Sequence, residues 1–133
     1  MSLEWFIGFL DGAIRHTCNL DSATWVIYAP TRQLVASGGI CLGLATNNVV
    51  EYNVVIELIW DAISHGITFL EVILHSQLVV SQLNGVYQVR NPTLLRHFLR
   101  IRLLERNFEH IIYNHISSNQ NSITDAFANY ILD

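Results

Sequence analysis

The chain has 133 residues, one domain's worth, and is 51% hydrophobic but only 14% charged, against about 25% charged in an average soluble domain. Its mean hydropathy is +0.33, yet Glu4, Asp11, Glu51, Glu57 and Glu71 interrupt the apolar segments, so none reaches the ~18–20 residues of a membrane span. Seven arginines and no lysine oppose eleven acids for a net charge of −4, which excludes a broadly basic nucleic-acid-binding surface; five of those arginines lie between Arg90 and Arg106, so any basic footprint is local.

In chain order, Glu4 to Asp11 is predicted as a strand, rich in aromatic and branched residues. Ser22 to Ala29 is a second strand, Pro30-Thr31-Arg32-Gln33 a turn, and Leu34 to Leu44 a third strand, with Gly38-Gly39 marking a bulge or a close approach. Asn48 to His65 has apolar residues at Val50, Val54, Val55, Leu58, Ile59 and Ala62, a helical face that Gly66 closes. Phe69 to Leu74 is a continuous apolar run, as expected for a strand covered on both faces. Ser76 to Leu83 is a short helix ended by Asn84-Gly85. Asn91-Pro92 opens a helix to about Asn107, with Leu95, Phe98, Arg102 and Leu94, Ile101, Leu104 on adjoining stripes. His110 to Ile116 is a fifth strand and Ser122 to Leu132 a closing helix. The order βββαβααβα, without repeat or linker, describes one α/β domain over residues 1–133 with a mixed sheet. Met1-Ser2-Leu3 is compatible with a cloning remnant and is given no meaning.

Cys18 and Cys41 have neither metal-ligand spacing nor a cysteine-rich context, so free thiols of an intracellular protein are expected. Trp5, Trp25 and Trp60 are assigned to core packing ahead of base stacking. His16, His65, His97 and His110 show no ligand spacing and are assigned structural or surface roles. The pairs Arg96/Arg100 and Arg102/Arg106 occupy two flanks of one helix, read as a solvated face with phosphate contact as the alternative.

Four positions gather chemistry. If the first and fourth strands are neighbours, Asp11 and His75 end side by side, Glu51 enters from the first helix, and Asp125 closes from the last. Carboxylates so placed hold two divalent ions about 3.5–4 Å apart, which activate water and stabilise the leaving oxygen of a phosphodiester. Mg²⁺ asks for hard oxygen ligands, so an imidazole at position 75 departs from that chemistry and suits Mn²⁺ or Zn²⁺ better.

Four blocks then carry a resemblance: Asp11-Gly12-Ala13; Thr46-Asn47-Asn48 through Glu51-Tyr52; His75-Ser76-Gln77-Leu78-Val79-Val80 through Asn84-Gly85; and His115 to Asn129. In this order and spacing they resemble a type-one ribonuclease H domain of the plant and retroelement group, whose members resemble archaeal ribonucleases H. The resemblance implies a five-stranded mixed sheet in order 3-2-1-4-5 with helices on both faces. It implies a metal-dependent endonuclease that hydrolyses the RNA strand of an RNA/DNA hybrid, with Mg²⁺ or Mn²⁺ as cofactor. Asp11, Glu51 and Asp125 would be the metal ligands, with His75 a poor stand-in at the fourth catalytic position and His115 nearby. Gly12, Ala13, Asn47, Asn48 and Gln77 would contact nucleic acid, and neighbouring domains of a reverse-transcriptase polyprotein would be partners.

The departures are as informative. The family's third Asp is His75, its glycine-rich turn reads Ile14-Arg15-His16-Thr17-Cys18-Asn19, and the Pro-Arg after its histidine reads Ser117-Ser118. All three fall on metal, substrate or phosphate contacts, while the apolar pattern is intact. An impaired nuclease is therefore expected. The alternative is a catalytically inactive module that packs against partner domains or weakly binds nucleic acid.

Overall fold

The computed structural model describes residues 4–14, 21–43 and 46–116, with the backbone alone at 11–14 and 21–22. The elements are β1 (Phe6–Ile14), β2 (Asp21–Tyr28), β3 (Leu34–Leu42), α1 (Asn47–Ser64), β4 (Phe69–Leu74), α2 (Gln77–Leu83), α3 (Pro92–Leu104), a single 3-10 turn (Glu105–Asn107) and β5 (His110–His115). The expected closing helix, Ser122 to Leu132, lies outside the described residues.

The sheet runs β3-β2-β1-β4-β5, as expected. β1, β2 and β3 pair antiparallel, while β4 runs parallel to both β1 and β5. A tight turn suffices between antiparallel strands, but the parallel step from β3 back to β1's far side needs a crossover, which α1 supplies. Alternation along the strands then sorts the core. Leu10, Ala23, Trp25, Ile27, Leu70, Val72 and Leu74 face the helices, where they join the buried residues of α1, α2 and α3. Phe9 and Ile73 point the other way, with Ile7, Val26, Tyr28 and Ile116 packed on them.

α1 is nearly embedded: eight of its residues are buried, against the six apolar positions read from the sequence. Thr46 caps its start by accepting from the Val49 N–H, and Gly66, at φ +71, takes the left-handed conformation that ends it. Gly8 lets it settle, since a Cβ there would lie 2.8 Å from a Leu58 methyl. Gly38 and Gly39 stay in regular register opposite Trp25 and Thr24, so they mark a close approach and not a bulge. The Trp25 indole lies over Gly38, where a Cβ would be 2.3 Å from the ring, and its Nε1–H donates to Asp61 on α1.

Two expectations are corrected, for Trp60 and Cys41, while Trp5 keeps its packing role. Trp60 is 47% exposed and not in the core, because α1 turns that one position away from both the sheet and α3. Trp5 is half-buried, its ring edge-on to Phe69 at 5.5 Å. Cys41 is disulfide-bonded and not a free thiol. Antiparallel pairing sets Cys41 opposite Ser22, and no local spacing motif announces a bond made by strand pairing. Cys18 itself lies outside the described residues.

Candidate functional site

The site is built where β1 and β4 run parallel. Their last paired residues are Phe9 and Ile73, and Asp11 and His75 each lie two residues further along. Both positions therefore sit at the same end of adjacent central strands. Between Asp11↔Thr24 and Ile14↔Ser22 the β1–β2 register slips by one residue, a bulge at Gly12-Ala13 that bends β1 where the site begins.

Glu51 enters from the first turns of α1 and is half-buried. Its Oε1 accepts from the His75 backbone N–H at 3.4 Å, and the Ser76 N–H also faces the carboxylate. Burial pushes the Glu51 carboxyl above its ordinary range, and these two N–H groups oppose that shift only in part. The Glu51 side chain thus ties the start of α1 to the end of β4.

A second tie lies beside it. The Ser76 hydroxyl donates to Asn48 Oδ1 at 3.0 Å and accepts from the Val79 N–H at 3.2 Å, which makes it the cap of α2. Asn48 is half-buried and already engaged by this bond, while Asn47 and Gln77 are exposed. Gln77 Nε2 donates to the Ser81 hydroxyl within α2. Sequence reasoning counted Asn48 as a nucleic-acid contact but overlooked Ser76, although a serine directly before a helical run is a capping signal. On the other side, β5 brings His115 opposite Leu74, and its Nε2 lies 3.2 Å from the His75 carbonyl oxygen.

Two separate polar contacts, one buried and one partly buried, lie among α1, α2, α3 and β5. Tyr52 donates to Gln82 Oε1 at 2.7 Å between α1 and α2. Tyr113 on β5 donates to Glu105 at 2.6 Å, and Arg102 donates to the same carboxylate oxygen and to the Leu83 carbonyl. Burial pushes the Tyr52 phenol up to about 12, and Tyr113 is raised further by burial and by the Glu105 carboxylate. Both phenols are fixed donors at any physiological pH. Arg102, read from the sequence as a flank of a solvated face, is drawn in over the Phe98 ring at 4.4 Å.

Of the residues expected at the site, Glu51, His75 and Asn48 are brought together, and Asp11, Gly12 and Ala13 are placed by their backbone at the same strand end. Asp125 lies outside the described residues. Among the described residues no three His, Cys, Asp or Glu side chains form a metal-holding group. No described helix is long and apolar enough to cross a membrane.

A family model described as "Reverse transcriptase-like" matches residues 9–131. The chain is 34% identical over 125 residues to "Ribonuclease HI" of Halobacterium salinarum, covering 94% of this chain and 63% of that protein. The crystal structure of RNase H1 from that archaeon superposes with a TM-score of 0.78, at 33% identity over 97% of this chain and 98% of that one. The N-terminal RNase H domain of Rv2228c from Mycobacterium tuberculosis gives a TM-score of 0.81 at 29% identity, over 98% of this chain and 95% of that one. LC11-RNase H1 in complex with an RNA/DNA hybrid gives 0.76 at 28% identity, over 87% and 88%. The chain spans 63% of the length of the curated halobacterial relative and 25% of the full-length bifunctional mycobacterial one.

Proposed function

Because the chain belongs to the reverse-transcriptase-like family, as a type-one ribonuclease H domain, we propose that it acts on RNA/DNA hybrids as a metal-dependent endoribonuclease weakened by His75. The observation that carries this reading is the pairing of an intact frame with one altered donor. β1 and β4 bring Asp11 and His75 to the same end, and the Glu51 carboxylate is seated beneath the backbone of His75 and Ser76. A hybrid-bound relative of the same fold, LC11-RNase H1, supports the substrate class.

Asp11, Glu51 and Asp125 would hold the divalent ions, which supply an activated water and stabilise charge on the leaving oxygen. Glu51 fits that role as a hard oxygen donor fixed in orientation. His75 does not fit an all-oxygen Mg²⁺ site: it replaces an anionic oxygen with a neutral nitrogen and raises the charge of the donor set by one. Wild-type activity should therefore be weak and favour Mn²⁺ over Mg²⁺. The polyprotein setting read from the sequence is part of this proposal.

A specific observation favours a second reading, the inactive module. Net charge is −4, and Asn48, a residue that would meet substrate, is already held by Ser76. One experiment separates the two: cleavage of a labelled hybrid in Mg²⁺ and in Mn²⁺ by the wild-type chain, His75→Asp, and His75→Asp with Glu51→Gln. We expect His75→Asp to raise Mg²⁺-dependent cleavage by about tenfold or more, since metal-held charge is worth several kcal/mol at the transition state. Glu51→Gln should remove the gain. Recovery should stay incomplete and salt-sensitive, because the 14–19 turn and Ser117-Ser118 are unchanged. Silence of His75→Asp in both metals at low salt would leave the inactive module standing.

A further inference from the structure

α3 carries two faces of opposite purpose. One buries Leu94, Ile101 and Leu104 against the rest of the fold. The other sets Leu95, Leu99 and Leu103 in the open, 36%, 52% and 58% exposed. These leucines are four residues apart and form one stripe, about 12 Å from end to end. At its N-terminal end the stripe runs into an open cleft of about 540 Å³, lined by the apolar Val86, Tyr87, Val89, Leu95 and Phe98 together with Gly85 and the amides Gln82 and Gln88. Val86 and Tyr87 are themselves exposed there, so apolar side chains of the 84–90 loop adjoin the start of the stripe on α3.

A row of cations borders this stripe. Arg96 and Arg100 each follow a leucine by one position, both are exposed, and α3 contains no acid. The ion pairs among the described residues are Arg102 with Glu105 and His65 with Asp61, so Arg96 and Arg100 have no carboxylate partner there. Their uncompensated field is felt locally: after burial, these two guanidiniums are the causes that hold His97 below the ordinary imidazole range.

The geometry points to a docking surface on α3 for an acidic amphipathic helix of a partner protein, its apolar residues on Leu95, Leu99 and Leu103 and its carboxylates on Arg96 and Arg100. Spacing and charge argue for this occupant. A helix laid along α3 repeats apolar positions every three or four residues, which matches the leucine stripe, and an acidic row on its flank matches the arginine row. A nucleic-acid backbone would use the arginines but leave three leucines against phosphates, which are contacted by cations and hydrogen-bond donors. A second copy packed antiparallel about a twofold would bring the arginine rows together with no acid on the helix to offset them, and one packed parallel would leave each row without an acidic counterpart. The inference does not depend on whether the chain cleaves hybrids.

The test uses the full chain and three labelled synthetic helices, read by fluorescence anisotropy. One has leucines at helical spacing flanked by glutamates, one replaces the glutamates with lysines, and one replaces the leucines with serines. The glutamate peptide should bind in preference to both others, and more weakly as salt rises. Leu99→Ser should weaken it by about tenfold or more, as for an interface anchor. Arg96→Glu with Arg100→Glu should abolish glutamate-peptide binding and create binding to the lysine peptide, an exchange that mere damage to the fold cannot produce. These positions are exposed, and circular dichroism should register no loss of helix. Equal binding of all peptides, or none, overturns the proposal. So does a wild-type dimer in sedimentation that Leu99→Ser dissolves, which would make the face homotypic. Loss of RNA/DNA-hybrid affinity in the double arginine variant, without peptide binding by the wild type, overturns it in favour of a phosphate contact.

Discussion

His97 lies on α3 between Arg96 and Arg100, its Nε2 3.4 Å from the Asn53 amide nitrogen and its ring beside Tyr52. Burial first, then the two arginines, hold its pKa below the ordinary 6.5. The unfolded chain therefore takes up this proton at a higher pH than the folded one does. The associated stability is complete above the ordinary imidazole range and is lost as pH falls through the depressed value. Replacing Arg96 and Arg100 with Gln should raise the His97 midpoint, followed through its ring protons by NMR, but only part of the way, because burial is the larger cause. A midpoint unchanged in that variant would show that the arginine field does not reach the ring. Tyr113 makes a different kind of case. Its buried hydroxyl donates to a carboxylate that Arg102 also holds. Tyr113→Phe should cost about 1.5–2 kcal/mol in urea unfolding, the lower part of the usual range for a hydrogen bond to a charged group. The figure stays modest because Glu105 keeps Arg102.

Among the elements, β2, β3 and α1 are tied together by one side chain, the Trp25 indole seated over Gly38 with its N–H on Asp61. Gly38→Ala would set a methyl 2.3 Å from that ring, so the ring must leave its place or β3 must shift. A loss of about 1–3 kcal/mol is expected, as for other overpacked sites. Trp25→Phe in the same chain should recover part of it, because the smaller ring makes room. If Gly38→Ala leaves the urea midpoint unmoved, the contact is looser than the geometry says. α2 depends on a smaller device, the Ser76 cap that also holds Asn48. The helix has only seven residues, so its start is fixed by that cap and its length by the buried run Val79 to Leu83.

In the whole molecule, β4 is the strand hydrogen-bonded on both sides by parallel neighbours and closed in by the helices. Amide exchange should therefore be slowest in Leu70 to Leu74 and fastest in the edge strand β3, since opening β4 requires breaking two ladders and the main core together. Comparable exchange in β3 and β4 would contradict the central role of β4. The same placement explains why the fold accommodates a changed donor at the candidate site. His75 follows β4 directly, at the sheet's C-terminal rim, so its identity bears on chemistry there while Leu70, Val72 and Leu74 maintain the fold.

Much of this was legible in the residues themselves. The continuous apolar run Phe69 to Leu74, the helical spacing from Val50 to Ala62 and the Asn91-Pro92 start each encode a local element, because backbone preference and one-sided burial act over a few neighbouring positions. The four motif blocks, read together, gave the sheet order and named Glu51 and His75. What sequence left open are the contacts between residues far apart in the chain. Trp60 has the composition of a core residue, but only the packing of α1 against α3 and the sheet leaves it in solvent. Arg102 was assigned to a solvated flank; Glu105 is a local partner three residues on, but only the approach of β5 and of the end of α2 brings Tyr113 onto that carboxylate and the Leu83 carbonyl onto the guanidinium. Cys41 lacks any spacing signal for its disulfide, since strand pairing and not sequence distance decides what lies beside it. Of the exposed leucines of α3 only Leu95 was counted into an apolar stripe, and Leu99 and Leu103 were left unplaced, because which stripe faces inward depends on how the helix is rotated against α1. Local propensity and periodicity are properties of a short window of chain, whereas burial and partnership are set when distant windows meet, and that is the part that only the tertiary structure decided.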